Sequence, residues 1–314
     1  MNWRALAWDL AKAAVGLAAA AFIALRVAQD WETIGPLFSR LNLPLAAMAL
    51  IAQGLAFLLF PIPSYFILRQ RQPTLTYLTS ARMFFLSQLT KYLPGSIWVF
   101  PSRVVLMRQA GFSVRLGMYT LAFETLAFLT SGLMVGLVAI GSFPDPFRDW
   151  SALVALLTIL GIAATILLLA APGRLLALLP VRWRGAVPSP GQQTSGRQSS
   201  SMTFVALVSL TAAWLLSGAS LWLLSIALNP QGAISLLTLA GTFSLAWVAG
   251  FVVILSPGGV GVREAILIAV LSALIPQNEA VFLALASRLL WWLCELMLYF
   301  FSAYSARGIP TQTR

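Results

Sequence analysis

Apolar residues fall along this chain in long unbroken runs, not at every third or fourth position and not in alternation. Runs of about 18 or more apolar residues are the mark of helices that cross a membrane. Six are expected, over about 8–27, 43–68, 116–141, 151–171, 203–228 and 281–304. Two further apolar stretches, about 77–110 and 234–275, are interrupted, the first at Pro94-Gly95 and the second at Ser256-Pro257-Gly258-Gly259. The pattern predicts an all-α, polytopic integral membrane protein, with about six full spans plus two broken, re-entrant helical hairpins. The alternating segments of about ten residues that mark a transmembrane barrel are missing. Residues 172–202 are polar, and "GAVPSPGQQTSGRQSSS" within them has the Gly/Ser/Pro-rich composition of a flexible link. The organisation is therefore one transmembrane domain over 1–314, with a first half at about 8–171, the link at 172–202 and a second half at about 203–305. The N-terminal run faintly resembles a signal peptide, but no cleavage site leads into a soluble domain, so it is expected to stay as the first span.

Composition sharpens this reading and removes several functions. The 314 residues are 60% hydrophobic and only 9% charged, against about 25% charged in a soluble domain. The net charge is +11, but most arginines lie between apolar runs, which is membrane sidedness rather than a nucleic-acid surface. There is no histidine, so His-based general bases and histidine metal sites are excluded. The single cysteine, Cys294, lies in an apolar run and reads as a buried small hydrophobe. No pair of acids has metal-binding spacing. Neither a metal nor a cofactor is expected.

Sidedness follows from the loops. With the N-terminus cytoplasmic and each interrupted stretch dipping in and returning, twelve basic residues lie inside, among them Arg69, Arg71, Arg108, Arg115, Arg182 and Arg184. Only three, Arg26, Arg40 and Arg148, lie outside, beside Asp30, Glu32, Asp145, Asp149 and Glu279. The asymmetry agrees with the positive-inside rule and predicts both termini and the link on the cytoplasmic side. The two hairpins then enter from opposite faces, each followed by a long helix. That is the pattern of an inverted repeat, whose broken helices meet at a binding site near the midplane.

Eight charges remain inside the apolar regions: Arg82, Lys91, Arg103, Arg263, Arg288, Glu124, Glu264 and Glu295. A lone charge at the bilayer centre costs at least about 2.5–3.5 kcal/mol, so these residues must pair, snorkel to an interface or line a wet cavity. The excess of two positive charges suits an anionic guest such as a phosphate headgroup. Arg82 and Lys91 also fit a snorkelling role at a hairpin mouth. Glu264 fits a structural ion pair with another helix. Arg288 and Glu295, two turns apart, share a helix face and fit salt bridges to a neighbour as well as they fit substrate contact. Glu124 and Glu295 are also candidates to carry a proton.

The two breaks give the charges a setting. In "KYLPGSIWVFPSR" and "SPGGVGVRE" a Pro/Gly interruption frees backbone groups that lipid cannot satisfy. The helix that restarts points its N-terminal N–H groups at whatever covers the break, and such an end favours an anion. An ordinary proline kink is the plainer alternative. "GGVGVRE" lacks the Lys-Ser/Thr of a phosphate-binding loop.

Together "LTKYLPGSIWVFPSR" and "SPGGVGVREAIL" resemble the two signature regions of the lysylphosphatidylglycerol synthase transmembrane family, over roughly residues 10–305. The resemblance implies hairpin-containing repeats and a role in moving a phospholipid between leaflets. By motif matching it brings Lys91, Pro94, Gly95, Trp98 and Arg103 to one headgroup site, and Pro257, Gly258, Gly259, Gly261, Arg263 and Glu264 to another. The chain ends about ten residues after its last expected span, so the synthase domain of two-domain members is expected to be absent, and with it any aminoacyl transfer.

The expected function is binding and translocation of an anionic phospholipid or lipid-linked intermediate in a bacterial-type inner membrane, not catalysis. Its partners are that membrane lipid and a separately encoded lipid-modifying enzyme, with no nucleic acid. Two other classes stay open: an inverted-repeat transporter of a small solute or ion, and a membrane-embedded enzyme acting on a lipid-linked substrate.

Overall fold

The computed structural model describes residues 31–92, 98–145, 147–170, 196–232, 234–252, 259 and 261–305. All regular structure among them is helical. Five helical segments are long and apolar enough to cross a membrane: Leu43–Arg69, Val114–Ser142, Phe147–Ile166, Ser201–Leu228 and Gln277–Tyr304. They answer five of the six expected spans, and the sixth, 8–27, lies outside the described residues.

In chain order the helices are α1 (Trp31–Phe38), α2 (Leu43–Leu59), α3 (Ile62–Arg69), α4 (Tyr77–Gln88), α5 (Val99–Gln109), α6 (Val114–Ala139) and α7 (Ser151–Ala170). The second half holds α8 (Gly196–Leu228), α9 (Leu236–Val252), α10 (Val262–Leu271) and α11 (Gln277–Ser305). Starts are capped by side chains that suit the role. Asn42, Thr76 and Ser113 each adopt extended backbone and accept from the N–H of Leu45, Thr79 and Leu116.

Three features differ from the sequence expectation. The span expected as one helix over 43–68 is two, α2 and α3, because Pro61 and Pro63 each remove a backbone donor at the junction. The short helix α1 stands where no element was expected. Helix α8 begins at Gly196, ahead of the expected start at about 203; extending a helix that already exists costs far less than starting one, and no proline stands between Gly196 and that start to stop it.

The interrupted stretches fold as pairs of short helices. The first is α4, a 3₁₀ turn over Leu89–Tyr92, then α5. The second is α9 and α10. At about 1.5 Å rise per residue, the 12 residues of α4, the 11 of α5 and the 10 of α10 reach roughly 15–18 Å each. A hydrocarbon core is about 30 Å thick, so none of these three crosses it alone.

The packing exchanges partners between halves. Arm α4 lies on α11 of the other half, and arm α9 lies on α6 of the first. The helices that precede the hairpins, α2 and α8, pack on each other, tied by Gln53 Nε2 donating to Ser217 Oγ at 3.2 Å and Ser220 Oγ to the Ala49 carbonyl at 2.8 Å. The α6–α9 contact depends on small residues, as membrane helix pairs do. A Cβ at Gly132 would come within 2.8 Å of Val248, and one at Gly241 would overlap Ala139. At the centre Phe57, Phe60, Phe128, Trp214, Trp247 and Trp291 form an aromatic core, with Trp247 and Trp291 only 4.3 Å apart between ring centroids.

Candidate functional site

Beside this aromatic core lies a cavity of about 200 Å³. Its walls come from both halves: Gln88, Lys91 and Arg103 from the first hairpin, Glu124 from α6, and Gly250, Gly259 and Arg263 from the second hairpin. Aromatic rings, including Phe84, Trp247 and Trp291, supply most of the rest. Arg263 and Trp247 also border a smaller cavity of about 20 Å³ on their other side, beside Glu264 and Arg288.

Seven of the intramembrane charges are brought together here, and six are paired. Lys91 is buried and forms an ion pair with Glu295 of α11. It therefore does not snorkel, as was one expectation: the carboxylate and the Tyr92 hydroxyl, which donates to Glu295 at 2.7 Å, hold the group inside. Arg103 pairs with Glu124, donates from Nε to Ser87 Oγ at 2.9 Å, and stacks over Phe84 at 4.2 Å. Arg288 pairs with Glu264 at 3.4 Å. The other oxygen of Glu264 accepts from the Gly261 N–H at 2.6 Å and closes the first turn of α10. Arg288 and Glu295, expected on one face, thus engage different hairpins.

Arg263 is the exception. Its side chain is 95% buried, and neither Nε nor Nη1 has a hydrogen-bond partner. Its guanidinium lies on the face of Trp247, 3.0 Å from the ring centroid. Two glycines make room for it. A Cβ at Gly250 would stand 2.5 Å from Arg263 Cγ, and one at Gly259 would stand 2.6 Å from Nε. Gly259 (φ +69°) and Gly261 (φ +88°) both take left-handed backbone, which glycine alone adopts without strain. A second buried atom is without a partner: Glu124, a residue of the cavity wall, spends Oε1 on Arg103, and its buried Oε2 has none.

Counted over the buried cluster, Lys91, Arg103, Arg263 and Arg288 face Glu124, Glu264 and Glu295, which leaves one positive charge over. Arg82 stands apart, half-buried on α4. Pro94, Gly95, Pro257 and Gly258, expected at the headgroup sites, lie outside the described residues. Trp98 is 49% exposed at the start of α5 and does not line the cavity.

Sequence reasoning missed Gln88, Trp247, Gly250 and Trp291. A tryptophan or glycine in an apolar run carries no mark of a site, and only the fold brings these four to Arg263 and Lys91. No three His, Cys, Asp or Glu side chains among the described residues are grouped to hold a metal ion.

A comparison with curated proteins found no match. A comparison with family models matches residues 10–305 to the lysylphosphatidylglycerol synthase TM region, and so, with nearly the whole chain covered, this membrane protein belongs to that family.

Proposed function

We propose that the protein binds the anionic headgroup of a phospholipid or lipid-linked intermediate in the central cavity and carries it between leaflets. One observation carries the reading: Arg263 is a buried, unpaired guanidinium on the wall of an aromatic-lined cavity, in a cluster that holds one excess positive charge. An unpaired buried cation costs several kcal/mol, and an anionic guest relieves that cost. A guanidinium suits the task because its fork grips two phosphate oxygens at once. The aromatic walls offer an apolar surface for the lipid's acyl end. The chain acts as a carrier and not as an enzyme, and a separately encoded enzyme supplies the lipid.

Movement rests on an inverted repeat, in which α2, α4, α5 and α6 correspond to α8, α9, α10 and α11. Two features support this. Arms α4 and α9 each pack on the long helix of the opposite half. Each second arm is also locked to its own long helix by one ion pair, Arg103–Glu124 in the first half and Glu264–Arg288 in the second, with the charges exchanged. Both hairpins are re-entrant in this reading, and the termini and the link lie on the cytoplasmic side of a bacterial-type inner membrane.

Proteoliposomes test the transport step. Acyl-labelled fluorescent phosphatidylglycerol on the inner leaflet is protected from dithionite, and active protein removes that protection. Protein that leaves inner-leaflet lipid protected would sink the reading. Single cysteines at Ser96 and Ser256, in a Cys294→Ser background, test the repeat: they should react with impermeant reagent from opposite sides. Reaction of both from one side breaks it.

A further inference from the structure

Arg82 is the intramembrane charge that the central cluster leaves out. It lies on α4, half-buried, and forms no ion pair among the described residues. Leu78 and Leu86, one turn before it and one turn after, share its face, and both are at least partly exposed. Arg82 is thus a lone cation on the outer side of the first hairpin, where a bare charge against lipid tails is costly. It stands little more than one turn into α4, which begins at Tyr77, so a snorkelling side chain reaches the level of that start. The rim at that level is basic. Leu68, Leu75, Met107 and Phe112 share one hydrophobic cluster, which draws the neighbouring Arg69, Arg71, Arg108 and Arg115 to one end of the molecule, and all four are exposed. No Asp or Glu stands between Glu32 and Glu124, so the chain around the hairpin supplies this end with no carboxylate. The Tyr65 and Tyr77 rings meet at 5.8 Å, which sets the end of α3 beside the start of α4. Arg69 Nη1 donates to the Tyr65 hydroxyl at 2.6 Å, one turn back along α3, so this guanidinium turns toward the span and not away from it. Tyrosines and arginines at this level are the composition of a headgroup layer, and Phe66 and Leu78 are exposed beside them. The second hairpin has no such rim: between Arg197 and Arg288 the only basic residue is the buried Arg263. Membrane sidedness accounts for arginines in loops, but not for Arg82 inside the apolar stretch.

We infer that the outer face of the first hairpin is a binding surface for an anionic phospholipid of the surrounding leaflet, separate from the central cavity. Arg82 and the rim arginines, Arg69 first, hold the phosphate, and the acyl chains run along the exposed Phe66 and Leu78. An acidic surface on a soluble partner would meet the rim but not Arg82, which stands inside the apolar stretch. A phosphate in the headgroup layer meets both. The bound lipid ties the base of this hairpin to its leaflet, a tie that the second hairpin lacks.

Native mass spectrometry of the purified full-length protein counts the lipids it retains, with phosphatidylglycerol and phosphatidylcholine as probes. The wild type should retain phosphatidylglycerol at two places, the cavity and the hairpin. Arg263→Ala should lose the first. Arg69→Gln combined with Arg82→Gln should bind the second about tenfold more weakly. Unchanged retention in the Arg69 and Arg82 variant overturns the inference and leaves the cavity reading intact. Unchanged retention in Arg263→Ala, with loss in the other variant, sinks the cavity reading and leaves the inference standing. A wild type that prefers neither lipid overturns both. A second measurement needs no substitution. Raising ammonium acetate from about 50 to about 500 mM should release the hairpin lipid first, because salt screens exposed charges far more than buried ones. Release that does not depend on salt overturns the inference. If inorganic phosphate or glycerol 1-phosphate binds this face as tightly as the lipid, the face takes a soluble anion and the lipid assignment falls.

Discussion

The first hairpin and the second treat buried charge in opposite ways. In the first, Lys91 and Arg103 each meet a carboxylate from a long helix, Glu295 and Glu124. In the second, Arg263 lies against Trp247 and two glycines and forms no ion pair among the described residues. Its neighbour Glu264, one residue on, holds Arg288 and the start of α10 instead. Arg103 and Arg263, both on the helix that follows a break, therefore do different work. A paired charge fastens an arm to its helix. An unpaired one is held by packing alone, and the proposed function gives it an anionic guest.

The largest effect should come from breaking the first hairpin's side of this contrast. Arg103→Ala strands Glu124 in the interior, and removal of one partner of a buried pair costs about 3–5 kcal/mol. The variant should accumulate poorly and melt far below the wild type. Adding Glu124→Gln removes the stranded charge and should restore much of the loss. Melting temperature and solubilised yield of the single and double variants give the answer. A single variant as stable as wild type would mean that the ion pair fastens nothing.

The cradle around Arg263 comes next. Gly250→Ala puts a methyl 2.5 Å from Arg263 Cγ and 2.8 Å from its Nε. Something must shift, at an overpacking cost of about 1–3 kcal/mol, and the displaced guanidinium should lose its hold on an anionic lipid. Lipid affinity and melting temperature should fall together. If affinity survives, the position of Arg263 does not matter to binding.

How much of this contrast was legible in the sequence depends on what kind of signal each part leaves. The spans were visible because about 30 Å of hydrocarbon demands long apolar runs, and five of them stand within a few residues of expectation. The interruptions were visible through Pro94-Gly95 and Pro257-Gly258, since a break inside an apolar run is rare and costly, and separate helices stand on either side of each. The charged cluster was legible as a set, because eight charges in such runs cannot face lipid. The pairing within it was not. Lys91 and Glu295 are 204 residues apart, and one sequence says nothing about which acid meets which base. The roles of Gly250 and Trp247 were hidden for another reason: in α9 they are two more small or apolar residues, and only the approach of α10 gives them work. The kink at Pro61 was written in the chain, yet the run of apolar residues across it hid the boundary.

A smaller effect should follow from Trp247→Phe. The indole supplies the face on which Arg263 rests, and a desolvated cation–π contact is worth up to about 2 kcal/mol, less on a phenyl ring. The loss of ring volume adds to this. A net destabilisation of about 1 kcal/mol is expected, with a modest drop in lipid affinity and no loss of yield. A change as large as that of Arg103→Ala would mean that Trp247 matters as much to stability as the Arg103–Glu124 ion pair.

The smallest effect on folding should come from Arg263 itself, and it tests the contrast most sharply. Arg263→Ala removes a buried charge that has no partner, a relief of a few kcal/mol. It also removes the stacking on Trp247 and leaves a space beside the ring. The two contributions oppose each other, so stability should change by less than about 1 kcal/mol in either direction. Anionic lipid binding in the cavity should nevertheless be lost, because no other unpaired guanidinium lines the cavity among the described residues. Arg263→Lys keeps the charge without the planar fork, so it should fold normally and bind with intermediate affinity. Melting curves and lipid titrations on the three proteins decide the matter. If Arg263→Ala instead loses 3 kcal/mol or more, on the scale of a broken buried pair, and neutralising a nearby glutamate rescues it, then Arg263 is a scaffold residue like Arg103 and the two hairpins are alike after all.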